Sequence, residues 1–349
     1  MHAVASISQS ALAHNLSTTR RHSPKTKIVS MVKANAYGHK LNLISPLIEN
    51  SDLLAVSELS EAKKLREKTN KPILLLSGVY SNDDLQKAIK LDCQIVVHHK
   101  SQISIVNDSN KQVNVWIKID TGMHRLGLSA SEYNECLNLL ELNSLINIEC
   151  VMSHFACADE TGNTMNKSQL NKFNELTSAK YKRSMANSAA ILSNTKSHFD
   201  YIRPGIMLYG ISPFAKESSD LKAVMKLSAP IMSIKTINSG ESVGYGANWM
   251  ANKKTTIAVI GIGYGDGYPR HAKNGTPVVV NNTICPLVGR VSMDLICVDI
   301  SNINVNIGDI ATLWGDALLS VETVANWSDT IGYELVTGLS SRVEFINVA

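Results

Sequence analysis

The feature that most constrains the fold is a rhythm from residue 27 to about residue 209, where short β-branched runs alternate with longer amphipathic segments. The eight apolar runs are KIVSMV, LLAVS, PILLLSG, CQIVVHH, VNVWIKID, IECVMSHF, YKRSMANS and YIRPGIMLYG. The segments between them, such as ELSEAKKLREKT and NDDLQKAIK, have helical periodicity. Strands that alternate with helices pair in parallel through right-handed crossovers. Eight such units over roughly 200–250 residues predict a TIM-type (β/α)8 barrel, and a doubly wound open sheet is the alternative that periodicity leaves open.

The pattern changes after about residue 221. Short runs such as TTIAVIGIGYGDGYP and TPVVVNNTICPLVGR are punctuated by Gly, Pro, Asn and Asp, which is typical of an antiparallel, mostly β domain. One helix is predicted near residues 321–331. A chain of 349 residues exceeds the usual size of one domain. We therefore expect a barrel over residues 1–220 and a β domain over residues 221–349.

Composition argues against several classes of protein. Hydrophobic residues make up 44% of the chain, charged residues 18%, and the net charge of +4 is not gathered into a basic tract, so we expect no nucleic-acid partner. None of the six cysteines forms a CxxC or a Cys/His zinc spacing, which favours no metal site and a reducing, cytoplasmic compartment. The sequence shows no signal peptide and no run that could span a bilayer.

Chemically capable side chains follow several of the predicted strands at the same end. In a barrel the carboxyl ends of the strands form the active-site face. Taken alone, Lys33 is better explained as a strand-end lysine that extends its amine to solvent, and His154 as a satisfied core histidine, while an ion pair is an alternative role for Arg203. Their shared topological position favours a functional interpretation. The set comprises Lys33, Lys118, Asp120, Arg125, His154, Asn187, Ser188, Arg203, Gly205 and Ile206.

The glycine run GIGYGDGYP, residues 261–269, does not predict a dinucleotide site. Its spacing is GxGxGxG rather than GxGxxG, and no helical pattern follows it. A glycine-rich turn that lines a crevice is the better interpretation. The sequence also contains no HExxH motif and no convergent carboxylate pair of the glycosidase kind.

Nine motifs, in order, resemble those of the alanine racemases, a fold-type III family that depends on pyridoxal 5'-phosphate (PLP). They are VKANAYGH, IKIDTGMHRLG, SHFA, ANSAA, RPGIMLYG, VGYGANW, IGYGDGYPR, GRVSMD and YELVTGLSSRV, and they span nearly the whole chain. The resemblance implies that Lys33 is the lysine that joins covalently to PLP, for which an amine with a lowered pKa is suited. The other PLP contacts that it implies are Tyr37, His154, Asn187, Ser188, Arg203, Gly205 and Ile206.

The resemblance also implies a mechanism. Arg203 matches the residue that faces the pyridine nitrogen, and because arginine only donates hydrogen bonds it leaves that nitrogen unprotonated. The ring is then a weaker electron sink, which favours rapid reprotonation at Cα over transamination. Racemisation needs proton carriers on opposite faces of the substrate. Lys33 serves the D-enantiomer and Tyr245 the L-enantiomer, and His154 and Arg125 are candidates to stabilise a phenolate.

Substrate recognition and assembly follow from the same resemblance. Arg125 and the backbone N–H of Met293 match the groups that meet the carboxylate of alanine, while Tyr264 and Asp294 line the entrance. Tyr245, Met293 and Asp294 lie in the second domain, which in this family completes the partner's site, so a homodimer with shared sites is expected. Lys118 matches a lysine that is often carbamylated.

Two positions depart from the family pattern. Ser341 stands where some members have a tyrosine that contacts the phosphate, so the entrance is expected to be wider, and Lys40 stands where glycine is common. The function expected is interconversion of L- and D-alanine, which supplies D-alanine for peptidoglycan. A racemase of wider range, or one for serine, is the alternative. An amino-acid decarboxylase is disfavoured by Arg203, and a non-catalytic PLP carrier is disfavoured by the second domain.

Overall fold

The computed structural model describes residues 2–349 and confirms the predicted barrel. A first strand, β1 (Val4–Ser8), precedes it. Eight parallel strands then close on one another in chain order, and each coincides with one of the apolar runs. They are β2 (Lys27–Met31), β3 (Leu53–Val56), β4 (Ile73–Leu75), β5 (Cys93–Val97), β6 (Val113–Lys118), β7 (Ile146–Met152), β8 (Lys182–Ser184) and β9 (Tyr201–Ile202).

Helices cover the outside of the barrel and begin where the sequence supplies caps. Ser81 accepts a hydrogen bond from the backbone of Asp84, and Ser129 forms a reciprocal capping box with Glu132. The α-helices of this part are Gln9–His22, Ser45–Asn50, Leu59–Arg66, Asn82–Lys90, Lys100–Asn107, Ala130–Glu141, Thr164–Leu176 and Ser188–Ser193. Short 3-10 helices lie at Leu41–Leu43, Thr195–Ser197 and Ile206–Tyr209.

The rest of the chain forms a mostly β domain, as predicted. Its strands are β10 (Met225–Ile237), β11 (Thr255–Ile260), β12 (Pro277–Val280), β13 (Thr283–Pro286), β14 (Ile296–Asp299), β15 (Ile310–Trp314) and β16 (Glu344–Val348). The sheet has the order β13-β12-β15-β10-β1-β16, and β11 joins β10 to β14. Further 3-10 helices lie at Tyr245–Ala247 and Tyr264–Asp266.

The N-terminal strand does not belong to the barrel, although the expected barrel span began at residue 1. β1 pairs antiparallel with β10 and parallel with β16, so it completes the sheet of the second domain. Its side chains alternate between half-buried and buried, as expected for a strand inside a sheet. The predicted boundary near residue 220 stays a prediction.

The helix predicted near residues 321–331 is two helices, Val321–Trp327 and Gly332–Thr337. The first ends at Trp327 with Ser328 as its C-cap, and Asp329 adopts a φ of 50°, which turns the chain out of the right-handed helix. The second helix packs against the turn that follows β2 and so joins the two domains. No helix within residues 2–349 combines the length and the apolar character that crossing a membrane requires.

Candidate active site

Lys33 lies two residues beyond β2 and opens a left-handed turn. The next four residues, none of them glycine, have φ values of 52°, 53°, 59° and 50°. A left-handed helical conformation costs an L-residue about 1–2 kcal/mol. Gly38 closes the turn at φ 81°, and a Cβ at Gly38 would lie 1.9 Å from the carbonyl oxygen of Val336. The strain is therefore held by close packing against the helix Gly332–Thr337.

Aromatic packing and two hydrogen bonds hold this turn. The ring of Tyr37 stacks on Tyr209 with centroids 5.0 Å apart, and His39 packs on Tyr209 at 4.6 Å. The hydroxyl of Tyr209 donates to the carbonyl of Met31 at 2.9 Å. His39 Nδ1 lies 2.9 Å from the carbonyl oxygen of Tyr37, which can only accept, so Nδ1 carries the proton. Burial lowers the pKa of His39 to about 4 and keeps the ring neutral.

Four cationic side chains gather at the carboxyl end of the barrel. Burial lowers the pKa of Lys33, Arg125 lowers it further, and Glu61 opposes them. Burial lowers the pKa of Lys118 to about 8, and Arg203, Arg125 and Lys33 add to the effect. Lys33, Lys118, Arg125 and Arg203 thus lie close enough for their positive charges to influence one another. Amines with lowered pKa values keep more of their neutral, nucleophilic form.

The buried guanidinium of Arg203 is held by hydrogen bonds to a serine hydroxyl and to two backbone carbonyls. Its Nη1 donates to Ser184 Oγ at 2.5 Å, and its Nη2 donates to the carbonyls of Ser153 and of Met185. Nη2 also lies 3.3 Å from Nδ1 of His154, which must then be the unprotonated nitrogen. Burial first, and then the positive charge of Arg203, hold the pKa of His154 well below its usual range.

A cradle for an anion lies beside Arg203. Ser188, the first residue of a short helix, accepts the N–H of Gly205 at 2.9 Å, while Asn187 caps that helix with its side-chain oxygen. The N–H of Ile206 has no acceptor among residues 2–349. A Cβ on Gly205 would lie 2.6 Å from the hydroxyl of Tyr37. Hydroxyls and an open backbone N–H thus converge where a Cβ would displace the hydroxyl of Tyr37.

Four predicted site residues are not part of this cluster. Tyr245, Tyr264, Met293 and Asp294 lie on the second domain, and none of them forms a hydrogen bond or ion pair with a barrel residue in the part of the chain that the structure describes. The side chain of Tyr245 is 71% exposed and that of Met293 is 52% exposed. Within one chain they are exposed to solvent rather than joined to the barrel cluster.

Sequence reasoning missed several residues that hold the site. Ser153 and Ser184 accept hydrogen bonds from Arg203, and Tyr209 supplies the ring on which Tyr37 stacks. Ser153 lies in the motif SHFA and Tyr209 in RPGIMLYG. Arg342, which forms ion pairs with Asp266 and Asp294, also went unnoticed. The signal available for each was only its position inside or beside a motif.

Comparison with known proteins identifies the family. The family model "Alanine racemase, N-terminal domain" matches residues 7–213, and "Alanine racemase, C-terminal domain" matches residues 224–347. The chain belongs to the alanine racemase family. Both domains of the family are thus present.

Relatives in this family match over their full length. The alanine racemase of Vesicomyosocius okutanii is 67% identical over 344 residues, which cover 99% of this chain and 98% of that protein. The alanine racemase of Aeromonas hydrophila is 43% identical, with 98% of each chain covered.

Solved structures of the family agree with the observed architecture. The biosynthetic alanine racemase of Pseudomonas aeruginosa has a TM-score of 0.96 at 38% identity, covering 100% of this chain and 99% of that one. The alanine racemase of Bartonella henselae, whose structure has covalently bound pyridoxal phosphate, has a TM-score of 0.93 at 31% identity, with 100% of both chains covered.

Proposed function

We propose that this chain interconverts L- and D-alanine, with PLP as cofactor and with Lys33 and the Tyr245 of a second copy as its two proton carriers. The observation that carries the proposal is the gathering of Lys33, Lys118, Arg125 and Arg203 beside the glycine cradle at the carboxyl end of a closed barrel. Family membership supports the reaction. Supply of D-alanine for peptidoglycan in the cytoplasm is the role we infer from it.

The residues present fit PLP. A dianionic phosphate suits the hydroxyls of Tyr37 and Ser188 and the unpaired N–H of Ile206, and the absence of a Cβ at Gly205 leaves room for it. An amine with a lowered pKa, Lys33, suits an aldehyde. When bound, PLP supplies the electron sink that acidifies the Cα–H of an attached amino acid.

Arg203 determines how strong that sink is. Its guanidinium is held by Ser184, Ser153 and Met185, so its orientation is constrained from several sides. It can only donate a hydrogen bond, so a ring nitrogen that it faces stays unprotonated. We infer that this arrangement favours return of the proton to Cα over loss of the amino group. The same arginine argues against a decarboxylase.

Proton transfer requires one carrier on each face. Lys33 Nζ takes or returns the proton on one side, and its pKa, lowered by burial and by Arg125, increases the fraction of neutral amine that can accept a proton. Tyr245 Oη performs the same step on the other side. Arg125 and the N–H of Met293, which has no acceptor within the described residues, hold the substrate carboxylate.

A second copy supplies Tyr245 and Met293 in this proposal. The second domain exposes several large apolar side chains, a surface that suits a protein partner. They include Met232 and Met250, with Tyr245, Tyr264, Met293 and Leu295. A symmetric homodimer that buried these side chains in both copies would complete two sites.

One experiment tests the assignment and the assembly together. Purified protein should absorb as a PLP enzyme, exchange the Cα proton of L-alanine in deuterated water, and produce D-alanine by chiral assay. Lys33→Ala should lose the absorbance of the attached cofactor, and Tyr245→Phe should lose turnover while it keeps that absorbance. No exchange in the wild-type protein would reject the function, and near-normal turnover by Tyr245→Phe would reject the two-carrier scheme.

Mixing the two inactive variants tests the shared site. If each site takes Lys33 from one copy and Tyr245 from the other, a random mixed dimer has one intact site. Half of the dimers are mixed and each has one of two sites intact, so about a quarter of wild-type activity should return. No recovery after verified subunit exchange would contradict the shared site.

Ser341 favours one further candidate, a racemase of wider range. Its side chain is exposed and forms no hydrogen bond within residues 2–349. Comparison of turnover for alanine, serine and larger amino acids decides between the two, because a wider entrance should admit the larger substrates.

A further inference from the structure

Three loops of the second domain meet beside Met293. The loop of residues 261–268 binds the loop of residues 290–295 through Tyr264 N–H, which donates to the carbonyl of Ser292 at 3.0 Å, and Gly265 N–H, which donates to that of Met293 at 2.8 Å. The loop of residues 338–342 joins them through the N–H of Ser340, which donates to the carbonyl of Asp266 at 3.0 Å. The residues that we assign to the substrate and the entrance thus share one backbone network.

Arg342 connects all three loops with its side chain. Its Nε lies 3.1 Å from Asp266 Oδ1, and its Nη2 lies 2.7 Å from Asp294 Oδ1. Asp266 is only 6% exposed, and its other oxygen accepts the N–H of Gly263 at 2.9 Å. A Cβ at Gly265 would lie 2.6 Å from Nη1, so the guanidinium lies directly against the backbone of that loop.

A contribution to stability does not explain the contact of Arg342 with Asp294 well. These two side chains are 50% and 57% exposed, and exposed ion pairs contribute little to stability, whereas the pair with the largely buried Asp266 anchors the guanidinium. The ion pair has a larger effect on the position of the loop around Met293 than on stability. Asp294 directly follows Met293, so the ion pair restrains the loop whose N–H is to meet the substrate carboxylate, and small displacements of positioning groups strongly affect a reaction.

We propose that Arg342 is a positioning residue for recognition of the substrate carboxylate. Its ion pairs with Asp266 and Asp294 hold the N–H of Met293 in place relative to Arg125 of the second copy, and hold Tyr264 at the entrance. This inference rests on the proposed function. It assigns to Arg342 no contact with substrate or cofactor.

The test separates carboxylate recognition from folding and from cofactor binding. Arg342→Ala and Asp294→Asn should raise KM for alanine about tenfold or more, with a smaller change in kcat. Propionate has the carboxylate but no amine, and its inhibition constant should rise by a similar factor. Arg342→Lys keeps the charge, but its single ammonium group cannot pair well with both carboxylates at once. Its KM for alanine and its inhibition constant for propionate should therefore lie between those of the wild type and of Arg342→Ala.

A control variant removes a comparable ion pair elsewhere in the same domain. Lys273 and Asp329 form an exposed pair at 2.6 Å, so Lys273→Ala should leave KM and propionate inhibition unchanged. Unchanged KM and propionate inhibition in Arg342→Ala would overturn the inference. It would also be overturned if Arg342→Ala lost PLP affinity, measured by absorbance titration, or dimerisation, measured by sedimentation, to the same extent as KM rises. Should Arg342→Ala not fold, Asp294→Asn and Arg342→Lys carry the same test. A wild-type protein that does not racemise alanine would refute the proposed function instead.

Discussion

Replacement of Gly205 by alanine should damage the phosphate cradle through one contact. A Cβ at residue 205 would lie 2.6 Å from Tyr37 Oη and 3.1 Å from its Cζ, whereas ordinary contacts begin near 3.4 Å. The hydroxyl would have to retreat by about 0.8 Å. Tyr37 cannot tilt freely, because its ring packs against Tyr209 at a centroid distance of 5.0 Å and against Tyr333 at 6.2 Å. Relief of the clash therefore requires displacement of the group that we assign to the phosphate.

The magnitude follows from the cost of overpacking. Inserting a methyl group into a well-packed site costs about 1–3 kcal/mol. If Tyr37 moves, this cost appears as weaker PLP binding, about 5- to 150-fold; if Tyr37 stays, it appears as a lower free energy of unfolding of the apoprotein. We expect the two losses to sum to about 1–3 kcal/mol for Gly205→Ala. Absorbance titration with PLP gives the first loss and urea denaturation gives the second.

A double-mutant cycle identifies the contact. Tyr37→Phe removes the atom at 2.6 Å, so Gly205→Ala should cost less when it is combined with Tyr37→Phe, by about 1 kcal/mol or more. Gly162→Ala is the matched control, because a Cβ there meets nothing within 4 Å. The steric explanation fails if Gly205→Ala binds PLP and unfolds like the wild type. It fails equally if Gly205→Ala costs as much in the presence of Tyr37→Phe as in the wild-type background.

Three further predictions concern charged and strained residues. The pKa of Lys118 is lowered from 10.5 to about 8, so between those pH values the unfolded chain binds more protons and the free energy of unfolding should rise with pH. Lys118→Met should raise stability at pH 7 and flatten that rise, measured by urea denaturation in carbonate-free buffer; an unchanged slope would contradict this. His154, with its lowered pKa, should show no ¹⁵N titration between about pH 5 and 8, whereas a midpoint near 6.5 would refute the assigned neutral state. Lys40 has a φ of 68° and an ammonium 4.0 Å above the ring of Phe345. Lys40→Gly should change stability by less than about 1 kcal/mol, since relief of strain offsets the lost cation–π contact, and Phe345→Leu should then cost less than it does with Lys40; equal costs would count against the contact.

The barrel could be predicted from the sequence because its signal is local. Each of the eight strands is a short apolar run followed by a helical segment, and parallel pairing follows from that alternation alone. The strand Val4–Ser8 could not be assigned in this way. It pairs with Ser228 and its neighbours, more than 200 residues away, and nothing in its own pattern names that partner. Short alternating strands carry no information about which sheet they join.

Motifs in the sequence named candidate chemical groups for the site, but not the contacts that restrain them. Lys33 and Arg203 could be named because motifs mark them. The turn over residues 34–37 could not, because its four residues include no glycine and their φ values depend on packing against Tyr209 and Val336. The pair of Asp266 with Arg342 joins loops that are far apart in the sequence, and no local pattern signals it. Local sequence thus indicates which groups are present, while tertiary contacts determine their geometry.

The charge of the barrel rim bears on which kind of side chain can serve as the second proton carrier. Lys33, Lys118, Arg125 and Arg203 make the rim cationic, and the nearby carboxylate of Asp120 already accepts the backbone N–H of Gly122 at 2.8 Å. A cationic environment favours the charged form of any acid placed against it. For a carboxylic acid this makes an already weak base weaker still at neutral pH. For a phenol, whose ordinary pKa is near 10, the same field moves the phenolate toward the pH at which it can both take and return a proton. The charge of this rim therefore supports the proposal that a tyrosine rather than a carboxylate lies opposite Lys33. Tyr245 is exposed to solvent in its own chain, as the proposed contribution from a second copy requires.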